Sequence, residues 1–183
     1  ANCNPFSATA LDIIAEKAVK CAKRFRPTTG RYYFWPDDGA KWDEGPQARG
    51  MNASDQALLV ENHILKALRR HVDPKARLSH ISYHYTLEVP RQVKPLDGVF
   101  VEFAPIGRDF TKSIADREAG TKQPDDSRLG PAVNSGYLDI LASNVELFGA
   151  ATAQVLDYWL DVSLHSGWSR PAVPWSAATQ PPC

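Results

Sequence analysis

Helical and strand-like segments alternate along this sequence, and their order restricts the fold more than any other feature. Two apolar periods recur, the spacing of about 3.6 residues typical of helices and the two-residue alternation typical of strands. Helical spacing covers residues 9–25, 54–72, 109–118 and 137–164, and strand patterns cover residues 31–35, 78–90 and 98–104. This order predicts an α/β fold with a mainly parallel sheet and flanking helices.

The strand predicted at residues 78–90, LSHISYHYTLEVP, separates into two different strips when every second residue is taken. Because successive side chains of a strand point to opposite faces, one face would be apolar and the other would form hydrogen bonds. The apolar strip consists of Ile81, Tyr83, Tyr85, Leu87 and Val89, and the polar strip of His80, Ser82, His84, Thr86 and Glu88. From the residues alone, the polar strip is either a solvated face or the wall of a site.

Length and charge place the chain among soluble globular proteins. Its 183 residues suit one domain, residues 1–183, with a sizeable core and a proline-rich tail at residues 169–183. The chain has 21 basic and 21 acidic residues, which gives no reason to expect nucleic acid or a membrane surface as a partner. The longest uncharged run of the C-terminal helix, LFGAATAQVL, is much shorter than the about 20 residues that a membrane span needs.

Three cysteines lie near the ends of the chain, at positions 3, 21 and 183. A Cys3–Cys21 disulfide, which requires an oxidising compartment, is one interpretation, and a small core residue at Cys21 is the other. The first residues lack the basic and apolar pattern of a signal peptide. The compartment therefore stays unknown, with a secreted or periplasmic location slightly favoured.

The sequence predicts neither a metal site nor a cofactor. His80 and His84 are about 13 Å apart along a strand, whereas two ligands of one ion lie within about 3–4 Å of each other. No CxxC pair, phosphate-binding glycine loop, dinucleotide fingerprint, nucleophile elbow or catalytic-cysteine signature is present. The candidate chemistry is therefore that of carboxylates, histidines and aromatic rings.

The strand at residues 98–104 brings a carboxylate to the polar strip. One of its faces would bury Val99, Val101 and Phe103, and the other would carry Phe100 and Glu102. We expect Glu102 to lie near His84, where each group could tune the pKa of the other for acid–base catalysis. The alternative is a satisfied polar pair on a solvated sheet face.

Two loops carry further candidates. In FWPDDGAKWDEG, Trp35 and Trp42 could stack on a sugar ring while acidic side chains bind its hydroxyl groups or act as acids. The acidic residues of this loop are Asp37, Asp38, Asp43 and Glu44. The alternative is a surface loop with one buried tryptophan. In PIGRD, which follows the Glu102 strand, Arg108 and the start of a helix capped by Asp109 could lie near an anion.

The stretches YYFWPDDG, SDQALLVENHILKALRRHVDP, ISYHYTLEVPRQVKPLDGVFVEFAPIGRDF and AQVLDYWLDVSLHSGWSRPAVPW follow one another in a familiar order. Together they resemble a family of large, mostly uncharacterised bacterial proteins that look like glycoside hydrolases distantly related to α-glucuronidases. The resemblance extends over about residues 7–175. The resemblance depends on short sequence segments such as YHYTLEVP and VEFAPIGR rather than on one diagnostic motif.

This resemblance implies a (β/α)8-barrel context in which RYYFW, HISYHYT and VFVEFA are consecutive strands. Active sites of such barrels lie at the C-terminal strand ends, so the polar strip would face the barrel interior and the apolar strip would pack under helices. A complete barrel needs about 250 residues, so this chain would be a partial or truncated barrel. The rim would carry Asp37, Asp38, His84, Tyr85, Thr86, Glu102, Arg108 and Asp109.

The function we expect is that of a carbohydrate-active, glycoside-hydrolase-like domain with paired carboxylates. Glu102 and either Asp37 or Asp38 would act as acid and base or nucleophile, and His84 would orient Glu102. Substrate would be bound by Trp42, Tyr85, Arg108 and Asp109, with the arginine on the carboxylate of a uronic acid. The alternative is a non-catalytic protein that binds sugar or a partner chain. Unpaired sheet edges favour either a homo-oligomer or an edge covered by the proline-rich tail, residues 169–183.

Overall fold

The computed structural model describes residues 2–38, 41–121 and 130–157. These residues form a four-stranded sheet whose neighbouring strands are all parallel and follow one another in chain order. The strands are β1 (Arg31–Tyr32), β2 (Arg77–Ser82), β3 (Val99–Phe103) and β4 (Gln154–Val155), and the helices are α1 (Ala8–Phe25), α2 (Ala53–His71) and α3 (Asn134–Phe148). The sheet is curled as half a barrel, which confirms the α/β prediction and fits a partial but not a complete (β/α)8 barrel.

The main core lies between the sheet and α2. Ile64 and Leu65 of α2 are fully buried and pack with Leu78 of β2 and Val101 of β3. Outside α2, the helix α1 adds a stripe of apolar residues that consists of Leu11, Ile14, Ala18, Val19 and Ala22. Burying each large aliphatic side chain contributes about 1.5–3 kcal/mol. This core therefore fixes α2 against the middle of the sheet.

The two faces of β2 are the reverse of the predicted arrangement. His80, which was expected in the barrel interior, lies on the helix side: its Nδ1 is 2.8 Å from Oε2 of Glu61 in α2, and its ring stacks on Phe148 of α3. Both His80 and Glu61 are fully buried, which is tolerated because each satisfies a polar atom of the other. The inner face, which is the sheet side turned away from the helices, carries Ser79, Ile81, Phe100 and Glu102.

β2 ends at Ser82, so the prediction of a strand as far as residue 90 is wrong beyond that point. His84 adopts the left-handed conformation, with φ +46°, and a 3₁₀ turn begins there. Oγ1 of Thr86 donates to the Ile81 carbonyl at 2.7 Å, and Oγ of Ser82 donates to the Leu87 carbonyl at 2.8 Å. Such hydroxyl-to-backbone bonds compete with strand pairing, so the polar strip turns the chain instead of forming a sheet face.

The connection between β2 and β3, residues 83–98, contains no α-helix and is attached to α2 instead. Oγ of Ser54 donates to the Thr86 carbonyl at 3.1 Å, and Oδ1 of Asp55 accepts from the N–H groups of Gln92 and Val93, each at 2.7 Å. Asn52 and Asn62 make further bonds of this kind, to Val89, Lys94 and Leu96. The backbone polar groups of a crossover between parallel strands need hydrogen-bond partners. Here side chains of α2 provide the partners that a helix within the crossover would otherwise provide.

Asp55 also begins α2. Its Oδ2 accepts from the N–H of Asn52 while Oδ1 of Asn52 accepts from the N–H of Asp55, both at 2.9 Å, which is a capping box. Burial would raise the pKa of the Asp55 carboxyl, but hydrogen bonds from the backbone N–H groups of Val93, Gln92 and Asn52 bring it below its usual value. One carboxylate therefore joins the helix start to the crossover.

Several predictions about the helices need correction. Residues 109–118 form turns rather than a helix, and the C-terminal helix begins at Asn134 and ends at Phe148, because Gly149 has φ +87°. Val155 consequently lies in β4. Among the described helices, none combines the length and apolarity needed to cross a membrane. The predicted helical residues 158–164 and the proline-rich tail lie outside the described residues.

Neither interpretation of Cys21 is correct. Its side chain is exposed on α1 instead of being part of the core, and both Cys3 and Cys21 are free thiols. The period of α1 was predicted correctly, but its last turn extends beyond the apolar contact with α2, and Phe25 there is 75% exposed. The third cysteine, Cys183, lies outside the described residues.

β1 and β4 form the two edges of the described sheet. Each pairs through only two residues on its inner side, and no strand of the described part of the chain pairs with its outer side. Unpaired edges are templates for association. The homo-oligomer stays a prediction, which light scattering would test.

Replacing Asp55 by asparagine should lower the free energy of unfolding by about 1–3 kcal/mol. The amide NH2 group would face backbone N–H groups whose hydrogen bonds the carboxylate now accepts. The loss should be complete at neutral pH and smaller in acid. A carboxyl with a lowered folded pKa stabilises the fold above its unfolded pKa, about 3.9, and this contribution is lost as pH falls through the folded pKa. Urea unfolding at several pH values measures both effects.

The matched control is Asp97→Asn, in an exposed residue of the same connection. Away from such networks, surface substitutions change stability by less than about 0.5 kcal/mol. Equal unfolding free energies for the two variants at neutral pH would contradict the role given to Asp55.

Candidate functional site

A pocket of about 270 Å³ opens at the carboxyl ends of the strands. Residues 35–38, which follow β1, and residues 83–86, which follow β2, form most of its wall. Ile81, Trp42 and Leu156 complete the lining. Ligands of open α/β sheets and of β/α barrels bind at these strand ends, so the pocket lies where this topology favours a site.

Trp35 connects the pocket to the inner face of the sheet. Its indole ring lines the pocket, and its Nε1 donates a hydrogen bond to Oε2 of Glu102 at 2.8 Å. Trp35 is 51% exposed whereas Glu102 is 7% exposed, so a nearly enclosed carboxyl lies beside an open aromatic wall. Burial raises the pKa of Glu102 above its ordinary value, and the Trp35 hydrogen bond offsets part of the rise because it stabilises the charged form.

His84 lies on the opposite wall and faces Asp38. Its Nδ1 is 3.5 Å from Oδ1 of Asp38, and its ring stacks on Tyr83 with 3.9 Å between ring centroids. The second ring nitrogen, Nε2, is buried and has no hydrogen-bond partner among the described residues. Burial lowers the pKa of His84 below its ordinary value, and the Asp38 carboxylate counteracts part of that change. The neutral imidazole is therefore favoured.

The backbone of His84 is strained as well as turned. A left-handed conformation is uncommon for a residue other than glycine, and residues held in it cluster at functional sites. The hydroxyl-to-backbone bonds around residues 81–87 hold the turn in place. This local geometry directs the imidazole towards the strand ends, whereas alternation along a continued strand would have placed it on the helix side.

Glu102 and His84, which the sequence predicted as neighbours, do not share a direct hydrogen bond among the described residues. Instead, Glu102 binds Trp35 and His84 faces Asp38. Register explains the difference. Ile81 is the residue of β2 aligned with Glu102, so His84 lies beyond the strand end and the carboxyl lies below it. The site therefore contains two separate carboxylate contacts, Trp35–Glu102 and His84–Asp38, instead of a single histidine–carboxylate pair.

Five of the predicted substrate and catalytic residues line the pocket together: Asp37, Asp38, Trp42, His84 and Tyr85. Asp37 is exposed and its backbone N–H donates to Oδ1 of Asn2 at 2.8 Å, which fixes the segment after β1. Tyr85 is 37% exposed, with its ring open to solvent. The loop after β1 and the turn after β2 thus bring two carboxylates and two aromatic rings to one cavity.

Arg108 and Asp109 do not lie in this cavity. The guanidinium of Arg108 is buried, with Nη2 at 2.9 Å from Oδ2 of Asp157 and the Phe110 ring 4.4 Å away. Oδ1 of Asp109 accepts from the N–H and the hydroxyl of Thr111, at 2.8 and 2.7 Å. Both side chains are thus engaged in local structure, and the structure shows no role for them in holding a substrate.

Sequence reasoning missed Tyr83 and Leu156 as pocket residues. Tyr83 was assigned to the apolar strip under the helices, yet its ring supports the His84 imidazole at the pocket. Leu156 follows β4, in a segment whose pattern was interpreted as helix. The visible signal for Tyr83 was its position between two polar hydroxyl residues, Ser82 and Thr86, which favour turns over strands.

The described residues contain no group of three or more histidine, cysteine, aspartate or glutamate side chains arranged to hold a metal ion. What the residues can do is donate and accept protons, bind hydroxyl groups and stack on flat apolar surfaces.

A scan against protein-family models finds no match for this chain. Searches among curated proteins and among solved structures likewise find no significantly similar chain. The resemblance to glycoside hydrolases distantly related to α-glucuronidases stays a prediction. The pocket is therefore the feature of this chain that bears on its function.

The imidazole of His84 should titrate with a midpoint below about 6.5, because burial favours the neutral ring. Asp38→Asn should lower the midpoint further, since it removes the carboxylate that favours the charged ring. As the unfolded chain takes up the proton first, the free energy of unfolding should fall as pH drops from about 6.5 towards the folded pKa. NMR titration of the histidine ring protons measures the midpoints.

Asp37→Asn is the control, because this neighbouring carboxylate does not contribute to the pKa of His84. It should leave the midpoint unchanged. A wild-type midpoint above 6.5, or no response to Asp38→Asn, would show that the histidine is not held as described.

Proposed function

We propose that this chain is a carbohydrate-active, glycoside-hydrolase-like domain whose site is the pocket at the strand ends. One observation carries the proposal: Trp35 both lines the pocket and donates a hydrogen bond to the nearly enclosed Glu102. A single side chain therefore joins a surface suited to a sugar ring with a carboxyl suited to proton transfer. The finer assignment, a piece of a (β/α)8 barrel of the glycoside-hydrolase type, is part of the same proposal.

The lining of the pocket suits a neutral sugar. Trp35, Trp42 and Tyr85 offer ring faces for the apolar side of a pyranose, and Asp37 and Asp38 offer acceptors for its hydroxyl groups. No lysine or arginine is among the described lining residues, and the candidate for a uronate, Arg108, is already paired with Asp157. We therefore favour a neutral glycan over a uronic acid as the group in this pocket.

Glu102 is the proposed general acid. Burial raises its pKa, which keeps the carboxyl protonated at higher pH than an exposed glutamate. The indole N–H of Trp35 occupies Oε2, so the proton belongs on Oε1, which makes no hydrogen bond among the described residues. The proton could then pass from Oε1 to the glycosidic oxygen of the leaving group.

Asp38 is the proposed second carboxylate, with His84 as its positioning residue. The side chain of Asp38 is 71% exposed, so it can reach a substrate or a water molecule. In retaining enzymes the two carboxyl groups are about 5–5.5 Å apart, and in inverting enzymes about 6.5–9.5 Å. Their separation in a sugar complex would decide whether Asp38 acts as nucleophile or as base.

A non-catalytic sugar-binding protein is the second candidate. The observation in its favour is that Glu102 does not itself line the pocket and is 7% exposed. If Trp35 never moves aside, a bound glycan would meet aromatic rings and aspartates but no proton donor. Binding without turnover of any matching glycoside would identify this case.

The first experiment is a panel of neutral sugars, uronic acids and aryl glycosides, measured by thermal stabilisation and by hydrolysis. A ligand that binds only the folded state raises the melting temperature according to its concentration and Kd. We expect a shift with neutral sugars that Trp42→Ala removes. No shift with any member of the panel would overturn the carbohydrate assignment.

Glu102→Gln should lower kcat for a responsive glycoside by about 10²–10⁴-fold and leave sugar binding intact, because the amide accepts the Trp35 hydrogen bond but cannot give up a proton. Glu16→Gln, an exposed position on α1, is the matched control and should retain full activity. Steady-state rates and binding titrations of both variants provide the measurement. Undiminished turnover in Glu102→Gln would exclude Glu102 as the acid.

A further inference from the structure

A larger groove continues from the pocket and is not used by the proposed reaction. Its volume is about 900 Å³, more than three times the about 270 Å³ of the pocket. Trp42, His84 and Tyr85 line both cavities and form the boundary between them. A ligand that fills the pocket can therefore extend past these rings into the groove.

Both walls of the groove are fixed to the start of α2. On one wall, the side-chain amide of Gln56 accepts from the N–H of Asp43 at 2.9 Å and donates to its carbonyl at 2.8 Å. On the other wall, Nδ2 of Asn52 donates to the Val89 carbonyl at 2.8 Å. Because Gln56 is almost fully buried, it holds its loop without facing the solvent. The groove is thus built in advance of any ligand, which reduces the entropy that binding costs.

The groove surface is polar and carries both charges. Lys41 and Glu44 line it, and their side chains have no hydrogen-bond or ion-pair partner in the described part of the chain. Glu88 and Arg91 form an exposed ion pair at 2.9 Å on the opposite side. Groups of this kind bind hydroxyl oxygens and hydrogens alike, while the mixed signs do not favour a polyanion.

We propose that this groove binds further sugar units of a neutral polysaccharide, so that the substrate is an oligosaccharide or polymer chain. The inference rests on the proposed function of the pocket and adds the length of the substrate to it. The pocket has a volume near the lower limit of ligand sites, about 300 Å³, and suits one unit, whereas the groove suits several. Trp42 and Tyr85 then contact the units on either side of their boundary.

The test measures affinity against chain length. Ladders of one to four units from cellulose, mannan, xylan and homogalacturonan are titrated against the wild-type chain by calorimetry. Ala132→Trp fills the groove, because Ala132 is exposed and lines it but not the pocket. Ala142→Trp, exposed on α3 and outside both cavities, controls for the added tryptophan. Glu44→Ala is a milder groove variant in case Ala132→Trp fails to fold.

We expect a neutral ladder whose Kd falls at least tenfold between one and three units. This gain should be lost in Ala132→Trp, reduced several-fold in Glu44→Ala and kept in Ala142→Trp, while the affinity for one unit stays the same in all three. A Kd independent of length, with one unit still bound, would overturn the groove inference and leave the proposed function intact. Absence of binding at every length would overturn both, and a gain confined to homogalacturonan would reject the neutral class.

Discussion

Side chains at the start of α2 hold the two loops that lie at the strand ends. Asn52, Ser54 and Asp55 bind the backbone of the β2–β3 connection, and Gln56 binds the backbone of the loop after β1. Each bond contributes only about 0.5–1.5 kcal/mol, but leaving one of these buried partners unsatisfied costs about 1–3 kcal/mol. The packing of α2 on the sheet therefore also sets the positions of both walls of the groove and of the pocket wall formed by residues 83–86.

The electrostatics of the pocket follow from its uneven burial. Glu102 and His84 are partly withdrawn from water, so the pKa of the acid rises and that of the base falls, and both tend towards their neutral forms. Asp38 remains exposed to solvent. A carboxyl with a raised pKa and an imidazole with a lowered pKa are groups that favour giving and accepting a proton, respectively.

Apolar periodicity correctly predicted the helices and strands whose structure is determined by residues close together in the sequence. α1, α2 and β3 were located from apolar spacing, and the face of β3 that carries Glu102 was identified from alternation. These features depend on local geometry and on burial alone. The α/β class and the parallel sheet followed from their order.

Contacts between distant residues explain what the sequence could not predict. His80 faces the helices because Glu61, on another element, satisfies its ring nitrogen, and no periodic pattern contains that information. β2 stops where Ser82 and Thr86 bind the backbone, although their alternation with apolar residues is that of a strand. Arg108 was expected to bind a ligand because its actual partner, Asp157, could not be identified from the sequence. Asp157 follows β4, a strand in a segment whose pattern predicted a helix.

Part of the pocket could be predicted because it depends on short segments and on neighbouring strands. Apart from Trp42, its acidic and aromatic members lie in two short segments, residues 35–38 and 83–86, so their proximity required only that β1 and β2 be neighbours. Glu102 was correctly placed on the inner face, but its partner is an indole rather than an imidazole. β2 ends at Ser82 instead of residue 90, and this early end exchanges the partner.

The left-handed backbone at His84 limits which sequences can evolve at this position. Glycine, asparagine and aspartate adopt this conformation at low cost, whereas β-branched residues do not. Selection for the turn and selection for the imidazole therefore act on the same codon but permit different replacements. Among homologues, a position 84 that varies between histidine, asparagine and glycine would mark conservation of shape alone. Invariant histidine would mark conservation of chemistry.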